Sequence, residues 1–365
     1  MKKLRAGIIG ATGMVGQRLA LLLSKHEWFE PVLLAASQKS KGKAYCEAVG
    51  SRWAMQEDIP PNLNDLVLYD ACETERISRE ADLVFIAVDM DKEKTMAMEE
   101  SFAKAECPVI SNNSAHRSAP DVPMIIPELN DSHASVIESQ RKRLNTKRGF
   151  IAVKSNCSIQ SYVPMLFPLH YRYSLKKVIV CTCQAISGAG KTLSGCPEIT
   201  DNIMPFIRGE EEKCRAEPLK IFGNVAGGAI VPSDLPEITA RCLRVPVSDG
   251  HLAVVFASFK TEPDIDEIKD IWRNFSGAPQ NLSLPSAPKR FIHYFGEPDR
   301  PQVRLDRDLE NGMAVSAGRL RREGLNEISF IGLSHNTLRG AAGGAVLLAE
   351  LLFKKGFIVR KEERG

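Results

Sequence analysis

The stretch SNCSIQ, residues 155–160, contains the side chain best suited to covalent chemistry. Cys157 follows an asparagine and precedes an apolar run with helical character, so we expect its sulfur in the first turn of a helix. The unpaired amides and the dipole of a helix start lower the pKa of a thiol and stabilise an oxyanion. A thiolate in that position is the nucleophile that acyl chemistry requires. The alternative is a small buried side chain, the commonest fate of a free cysteine.

The sequence GATGMVG, residues 10–16, is a second chemical motif. Its three glycines, Gly10, Gly13 and Gly16, directly follow an apolar strand and open an amphipathic helix. Glycines in this context permit a tight turn and let the backbone approach a pyrophosphate, whose charge the helix N-terminus favours. A tight turn without a ligand is the alternative, but the strand-turn-helix context favours dinucleotide binding.

The end of the second predicted strand indicates which nicotinamide cofactor is bound. An NAD site usually has an acidic residue there, which would repel the 2′-phosphate of NADP. Here the strand leads into SQKSKGK, residues 37–43, which contains Ser37, Lys39 and Ser40 and no acid. This composition favours NADP, although a solvated basic loop is the alternative.

A thiolate nucleophile needs a partner that handles protons, and His251 is the candidate. It follows RVPVSDG, residues 244–250, at a predicted turn between two apolar strands. Its ring can therefore project from a rigid edge into a cleft. The alternative is an ordinary surface-turn histidine, and none of the other six histidines is better placed.

These residues must be positioned by two α/β units. Residues 1–154 alternate apolar strands with helices, which predicts a Rossmann-type parallel sheet that binds NADP. Residues 155–334 contain longer β-rich runs, which predict an α+β catalytic and dimerisation domain with a mixed sheet. A final helix within residues 335–365 is expected to complete the first domain. The Gly- and Pro-rich residues 223–237 are expected to form a surface loop.

Composition excludes several classes of function. The net charge of +3 over 365 residues, with no long basic tract, argues against a nucleic-acid partner. We predict no membrane span and no signal peptide, and hence a cytoplasmic protein. The nine cysteines show no zinc-binding spacing, so we predict no metal and reduced thiols. Cys181 and Cys183 are expected to share one face of a strand.

Several separated motifs, taken in order, resemble aspartate-semialdehyde dehydrogenase of the archaeal and fungal-like branch. The similarity spans nearly the whole chain and is more specific than any single glycine loop. The motifs are GATGMVGQ, SNNSAHR, SNCS, QAISGAG, EPLK, RVPVSDGH and HNTLRGAAGGAVLLAELL.

The resemblance implies an NADPH-dependent reductive dephosphorylation of L-aspartyl 4-phosphate to L-aspartate 4-semialdehyde, a step in the biosynthesis of lysine, threonine, methionine and isoleucine. It implies that Cys157 attacks the acyl phosphate, that Gln184 orients the reacting groups and that His251 is the acid/base. Arg244 would bind the α-carboxylate, and Glu217 the α-ammonium. The implied substrate-binding residues are Asn113, Arg117, Asn156, Glu217, Lys220 and Arg244, of which Lys220 and Arg117, with Asn113 nearby, would hold phosphate. The implied cofactor-binding residues are Gly10, Thr12, Gly13, Met14, Val15, Ser37, Lys39, Ser40, Ser187, Gly188 and Asn336.

Two alternative functions remain open from the sequence. A malonyl-CoA or succinyl-CoA reductase on the same frame would use the same cysteine chemistry, but its substrate has no α-ammonium, so Glu217 favours the aspartyl substrate. A catalytically silent NADP-binding regulatory protein is disfavoured because Cys157, Gln184 and His251 are all present. The resemblance and the long β-runs also predict a homodimer or homotetramer.

Overall fold

A computed structural model describes residues 2–361 of the chain. Its first sheet has seven parallel strands in the order β3-β2-β1-β4-β5-β7-β6. This order reverses direction at β1, as in doubly wound nucleotide-binding folds. The strands of this sheet are β1 (Leu4–Ile9), β2 (Phe29–Ala36), β3 (Tyr69–Asp70), β4 (Leu83–Ile86), β5 (Val109–Ser111), β6 (Met124–Ile125) and β7 (Ile151–Lys154).

The second large sheet has six strands in the order β11-β8-β12-β15-β14-β13, and its pairings are mixed parallel and antiparallel. The parallel first sheet and the mixed second sheet confirm the predicted fold class. The remaining strands of the chain are β8 (Leu175–Gln184), β9 (Asn224–Ala226), β10 (Ala229–Val231), β11 (Glu237–Arg244), β12 (His251–Phe259), β13 (Ile292–Phe295), β14 (Val315–Gly324) and β15 (Glu327–Ser334).

Helices cover the first sheet and one face of the second. Helices α7, α8 and α9 pack on the second sheet, whereas α13 returns to pack against α1, β5 and β7. Among residues 2–361, none of the helices combines the length and the apolar character needed to cross a bilayer. The helices are α1 (Met14–Ser24), α2 (Tyr45–Val49), α3 (Pro61–Asn64), α4 (Thr74–Glu80), α5 (Lys92–Lys104), α6 (Ile137–Leu144), α7 (Val163–Tyr173), α8 (Glu210–Ile221), α9 (Ile265–Asn274), α10 (Ala278–Asn281), α11 (Val303–Asp306), α12 (Leu309–Gly312) and α13 (Ala342–Lys354).

One expected loop is instead partly regular. Residues 223–237 contain the antiparallel hairpin β9–β10, which is closed by Gly227 and Gly228. Both glycines have positive φ, at 58° and 79°, the conformation that a two-residue hairpin turn requires. The prediction of an irregular loop was therefore wrong over these strands, because the Gly-Gly pair is itself a hairpin signal.

A buried ion pair anchors the segment that precedes α13 to the first domain. Arg339 is 1% exposed, and its Nη1 donates to Glu128 Oε1 at 2.8 Å, while Nη2 donates to the other carboxylate oxygen. Arg339 Nε also donates to Gln160 Oε1 at 3.1 Å. The guanidinium thus ties together the C-terminal segment, the first sheet and the chain next to Cys157.

The variant Glu128→Ala should lower the free energy of unfolding by about 3–5 kcal/mol, because it leaves the Arg339 charge buried without a partner. Urea denaturation measures the loss. The matched control is Glu138→Ala, which removes an exposed carboxylate paired with Arg141 and should cost about 0–1 kcal/mol. Equal losses of unfolding free energy in the two variants would show that the buried pair contributes no more to stability than the exposed one.

Candidate active site

Three predicted site residues lie at the same end of three neighbouring strands of the six-stranded sheet, which we call the reactive edge. Gln184 ends β8, Arg244 ends β11 and His251 begins β12. Gln184 and Arg244 are register partners, while Leu252, next to His251, pairs with Cys183, next to Gln184. All three site residues are buried, so they project from the helix-covered face of the sheet.

Cys157 reaches this edge from the loop after β7, and its Sγ lies 3.4 Å from Nε2 of His251. The backbone N–H of Ala185 donates to His251 Nδ1 at 3.0 Å, so the hydrogen of a neutral imidazole is on Nε2 and points at the sulfur. Burial, reinforced by Arg244, lowers the pKa of His251 to about 3, and the ring is neutral at physiological pH. In this arrangement His251 donates a hydrogen bond to the sulfur, and Nε2 has no free lone pair with which to accept a proton.

The local structure of Cys157 differs from the prediction. The sulfur precedes a 3₁₀ segment, Ser158–Ser161, and α7 begins only after it. A segment of four residues has little dipole, so the expected stabilisation by a helix start is largely missing. Burial, followed by the charge of Glu210, raises the pKa of the Cys157 thiol. The predicted lowering of this pKa by a helix was therefore wrong, and thiolate formation depends on the charged groups nearby.

A buried carboxylate that the sequence did not single out, Glu210, lies beside the nucleophile loop. Asn156 Nδ2 donates to its two oxygens at 3.2 and 3.0 Å, and Gln184 Nε2 donates at 3.3 Å. Burial alone would raise the pKa of Glu210, but Lys213 and these two amides outweigh it and lower the pKa. The carboxylate thus orients two predicted site residues.

A signal for Glu210 was present in the sequence. The run GEEEK, residues 209–213, has the composition of a solvent-exposed charge cluster, although Glu210 within it is buried. Glu210, Cys214, Glu217 and Ile221 are all buried, and their spacing of four, three and four residues puts them on one face of α8. Reading the helix face, rather than the local charge, would have found it.

Glu217 and Arg117, which were predicted to contact different parts of the substrate, contact each other. Arg117 Nη1 donates to Glu217 Oε1 at 2.9 Å, and the backbone N–H of Asn156 donates to Glu217 Oε2 at 2.5 Å. Both side chains line a cavity of about 400 Å³. The pair joins α8 to the chain just before Cys157, and its predicted substrate contacts stay predictions.

Lys220 and Asn113 are held by the backbone. Lys220 Nζ donates to three carbonyl oxygens within residues 117–122, at 2.6–2.8 Å, so all three ammonium hydrogens are engaged. Burial lowers its pKa to about 8. The amide of Asn113 pairs with the backbone N–H and carbonyl of Val88, at 3.2 and 2.6 Å. Both residues shape the loop that carries Arg117, and their predicted phosphate contacts stay predictions.

The glycine-rich loop fits a dinucleotide. Gly10 has a φ of +91°, and a side chain there would strike the carbonyl of Ala87. A side chain on Gly16 would strike the carbonyl of Gly10. Gly13 is exposed at the N-terminus of α1, which has no side-chain cap. Thr12, Met14 and Val15 are partly exposed around it, so this helix start is open to an anion.

The loop after β2 is open to solvent and basic. Ser37 and Lys39 are exposed, and Ser40 is partly exposed. The neighbouring Lys41 is paired with Glu73 at 2.7 Å, so Lys39 is the better placed cation for a 2′-phosphate. The residues present therefore fit NADP, and their contacts to it stay predictions.

The remaining predicted cofactor residues form a small network beside His251. Asn336 Nδ2 donates to Ser187 Oγ at 2.8 Å, and its Oδ1 accepts from the N–H of Gly250 at 2.8 Å. Gly188 is exposed, and a methyl group there would lie 2.9 Å from Nη1 of Arg244. This glycine leaves the approach to the reactive edge open.

Two family models match the chain, and together they define its class. The semialdehyde dehydrogenase NAD binding domain matches residues 5–137, and the semialdehyde dehydrogenase dimerisation domain matches residues 166–339. The fold and these two matches define the chain as a two-domain semialdehyde dehydrogenase.

Similar proteins narrow that class. The aspartate-semialdehyde dehydrogenase of Archaeoglobus fulgidus is 41% identical over 96% of this chain and 98% of its own length. That of Aspergillus fumigatus is 40% identical over 98% of this chain and 99% of its own. The crystal structure of aspartate semialdehyde dehydrogenase with NADP from Candida albicans is 38% identical, with a TM-score of 0.88, and covers 98% of this chain and 100% of that one. The chain belongs to the aspartate-semialdehyde dehydrogenase family.

The variant Gly340→Ala should disturb the nucleophile directly. A methyl group at this position would lie 2.8 Å from the Cβ of Cys157 and 2.7 Å from the Cα of Asn336. Overpacking of this kind should lower the free energy of unfolding by about 1–3 kcal/mol and slow alkylation of Cys157 by iodoacetamide. Urea denaturation and peptide mass spectrometry measure the two effects.

The control for this variant is Gly296→Ala, because an added methyl group at residue 296 meets nothing within 4 Å. Its stability and Cys157 reactivity should match the unmodified protein. Unchanged reactivity in Gly340→Ala would show that the close approach of this glycine does not position Cys157.

Proposed function

We propose that the chain performs the reaction of its family, the NADPH-dependent reductive dephosphorylation of L-aspartyl 4-phosphate to L-aspartate 4-semialdehyde. The observation that carries the proposal is the 3.4 Å approach of Cys157 Sγ to His251 Nε2. The alignment with relatives over nearly their whole length supports it.

Cys157 is assigned the nucleophilic step. Its thiolate attacks the acyl carbon of the substrate, phosphate leaves, and the acyl group is held on sulfur as a thioester. Cys157 keeps some solvent exposure, so a substrate can reach the sulfur. The oxyanion of the tetrahedral intermediate needs hydrogen-bond donors, and His251 Nε2–H already points at the attacking atom.

His251 acts as a neutral hydrogen-bond donor in this proposal. In the biosynthetic direction the sulfur enters as a thiolate and leaves as a thiolate, so no proton has to pass through the imidazole. The proton that the reaction consumes goes to the departing phosphate. The acid/base role expected for His251 is therefore narrowed to donation from Nε2, which the bond from Ala185 N–H to Nδ1 supports.

The substrate's own charges match the remaining groups. Arg244 donates one bond, to the carbonyl of Ala185 at 2.7 Å, and within residues 2–361 no carboxylate forms an ion pair with it. Its free guanidinium edge suits the α-carboxylate. Glu217 suits the α-ammonium and Arg117 the phosphate, once the substrate divides the ion pair that these two residues form.

NADPH would be held by the glycine loop at residues 10–16 and by Ser37, Lys39 and Ser40, with Ser187, Gly188 and Asn336 near the reactive edge. When bound, it supplies the hydride that takes the acyl group to the aldehyde level. The chain's own part is to hold the thioester beside His251 and to orient it through Asn156 and Gln184.

A purified protein should oxidise aspartate semialdehyde in the presence of phosphate and NADP, and Cys157→Ala should lower kcat by about 10⁴-fold or more, since a unique nucleophile is lost. Absorbance at 340 nm measures the rate, and NAD is compared with NADP in the same assay. The matched control is Cys72→Ala, an exposed thiol of the first domain, which should leave the rate unchanged.

The same preparation separates the alternatives. Consumption of NADPH with malonyl-CoA, and no reaction with aspartate semialdehyde, would replace the aspartyl substrate by an acyl-CoA. Binding of NADP without turnover of either substrate would indicate a silent NADP-binding protein. Full activity in Cys157→Ala would contradict the covalent mechanism.

We also propose that two copies associate through the open face of the six-stranded sheet. Ile179 and Phe256 are register partners on β8 and β12, and each is 46% exposed. Cys181 and Val254 lie on the same face and are partly exposed. An apolar sheet face of this kind marks an interaction surface, and the matched domain model is described as a dimerisation domain.

The variant Phe256→Lys should halve the mass of the assembly in solution, because it puts a charge at the centre of that face. Sedimentation equilibrium measures the mass. The matched control is Leu325→Lys, which changes an apolar side chain that is 72% exposed in the turn between β14 and β15. If the Phe256→Lys protein has the unmodified mass, this face is not the interface. If a tetramer splits into dimers, the result supports this face as one of its interfaces.

The chemistry of the cysteines supports a proposal for the cellular compartment. All nine cysteines lie within residues 2–361 and are free thiols. The reactive Cys157 would be lost to oxidation in a strongly oxidising environment. A cytoplasmic location, where thiols stay reduced, is consistent with both observations.

A further inference from the structure

Lys154, the last residue of β7, has a buried side chain that the mechanism above does not use. It is 2% exposed, and its Nζ donates to the carbonyl of Ser155 at 2.5 Å. In the described part of the chain, no carboxylate lies within 4 Å of this nitrogen. A buried ammonium without a carboxylate is costly, so purely structural packing would be better served by an apolar side chain of the same length.

Lys154 and Cys157 lie against the same short stretch of backbone. A methyl group on Gly340 would lie 2.8 Å from the Cβ of Cys157, and one on Gly344 would lie 3.3 Å from the Cε of Lys154. Burial lowers the pKa of Lys154 to about 7, and the charge of Cys157 acts in the opposite direction. Lys154 is the leading cation among the groups that lower the pKa of the Cys157 thiol.

His251 and the two buried carboxylates near the sulfur are each engaged in hydrogen bonds of their own. His251 presents Nε2–H to the sulfur and accepts from Ala185 at its other nitrogen. Lys213 and two amides outweigh burial and lower the pKa of Glu210, while Arg117 and a backbone N–H donate to Glu217. The charged and titratable groups facing this pair from the packed elements are Arg117, Glu210, Glu217, Arg244, His251 and Arg339.

We propose that Lys154 is a positioning residue for the nucleophile: its ammonium, buried without a carboxylate beside the Cys157 loop, stabilises the thiolate. The S–H bond breaks, the proton passes to solvent, which reaches the partly exposed sulfur, and the sulfur keeps its oxidation state. The inference rests on the proposed function for its purpose, since a thiolate is what the acyl transfer needs. The ionisation of the thiol itself takes place in the free protein.

A lysine kept for this purpose has a cost in stability with a definite pH dependence. The pKa of Lys154 is about 7 in the folded chain and about 10.4 in an unfolded one, so between these values the unfolded state binds more protons. The free energy of unfolding therefore rises with pH across this window, and the cost of burying the lysine is largest at pH 7 and below.

The experiment titrates Cys157 by its rate of alkylation with iodoacetamide from pH 5.5 to 10, resolved from the other cysteines by peptide mass spectrometry. In Lys154→Met, which keeps the length and removes the nitrogen, the inflection should move up by about one pH unit or more. Alkylation at pH 7 should be about tenfold slower, and kcat should fall while KM for aspartate semialdehyde stays within about twofold. The urea midpoint at pH 6 should equal or exceed that of the unmodified protein.

An inflection at the unmodified pH in Lys154→Met overturns the proposal, even if activity falls. Lys154→Arg retains the charge, so its inflection should lie at least about one pH unit below that of the Met variant, and equal inflections exclude the electrostatic role. If the Met variant is poorly folded, Lys154→Arg is compared with the unmodified protein instead: its inflection should lie at or below the unmodified pH, and a higher inflection overturns the proposal. The matched control is Lys142→Met, an exposed lysine on α6, which should titrate as the unmodified protein does.

Alkylation uses no substrate, so the two proposals fail separately. If the titration of Cys157 depends on Lys154 but the protein turns over no aspartate semialdehyde, the proposed function is wrong and the inference about Lys154 is supported. If the enzyme is active but Cys157 titrates independently of Lys154, the proposed function is supported and the inference is wrong.

Discussion

The close approach of the returning C-terminal segment to the nucleophile loop is the constraint on which the rest of the site depends. Backbone meets backbone or side-chain stem where Gly332 faces Ser161, Gly340 faces Cys157 and Gly344 faces Lys154. A Cβ at the first two positions would force the segments apart. Since both sheets are attached to these segments, the absent side chains at Gly332 and Gly340 allow the two parts of the molecule to pack this closely.

Inside that contact the charges are nearly all satisfied by the protein itself. Glu210 accepts from amides, Glu217 and Glu128 accept from arginines, and Lys220 donates to carbonyls. Buried charges are stable only when they are paired or hydrogen-bonded in this way. The site is therefore preorganised, and the substrate exchanges existing bonds rather than ordering loose side chains.

The sequence predicted the two sheets and the glycine loop because each depends on local pattern: strand periodicity and a strand-turn-helix context. The pairing of Cys157 with His251 followed from the resemblance of the ordered motifs, since a histidine in a turn is not distinctive by itself. It did not predict the 3₁₀ segment after Cys157, because an apolar run cannot show where an α-helix begins. Glu210 was missed because its neighbours are exposed glutamates, and the ion pair of Glu217 with Arg117 joins residues one hundred positions apart. Contacts over such separations come from packing, which single-sequence patterns do not contain.

The order of the chain along this contact has a consequence for synthesis on the ribosome. Cys157 is made well before Gly340, and the segment that packs against the sulfur emerges about 180 residues later. At 5–20 residues per second, roughly ten to forty seconds of translation separate the two. A nascent or truncated chain therefore exposes this thiol outside its folded surroundings, and the complete setting of the nucleophile forms only when the polypeptide is nearly finished.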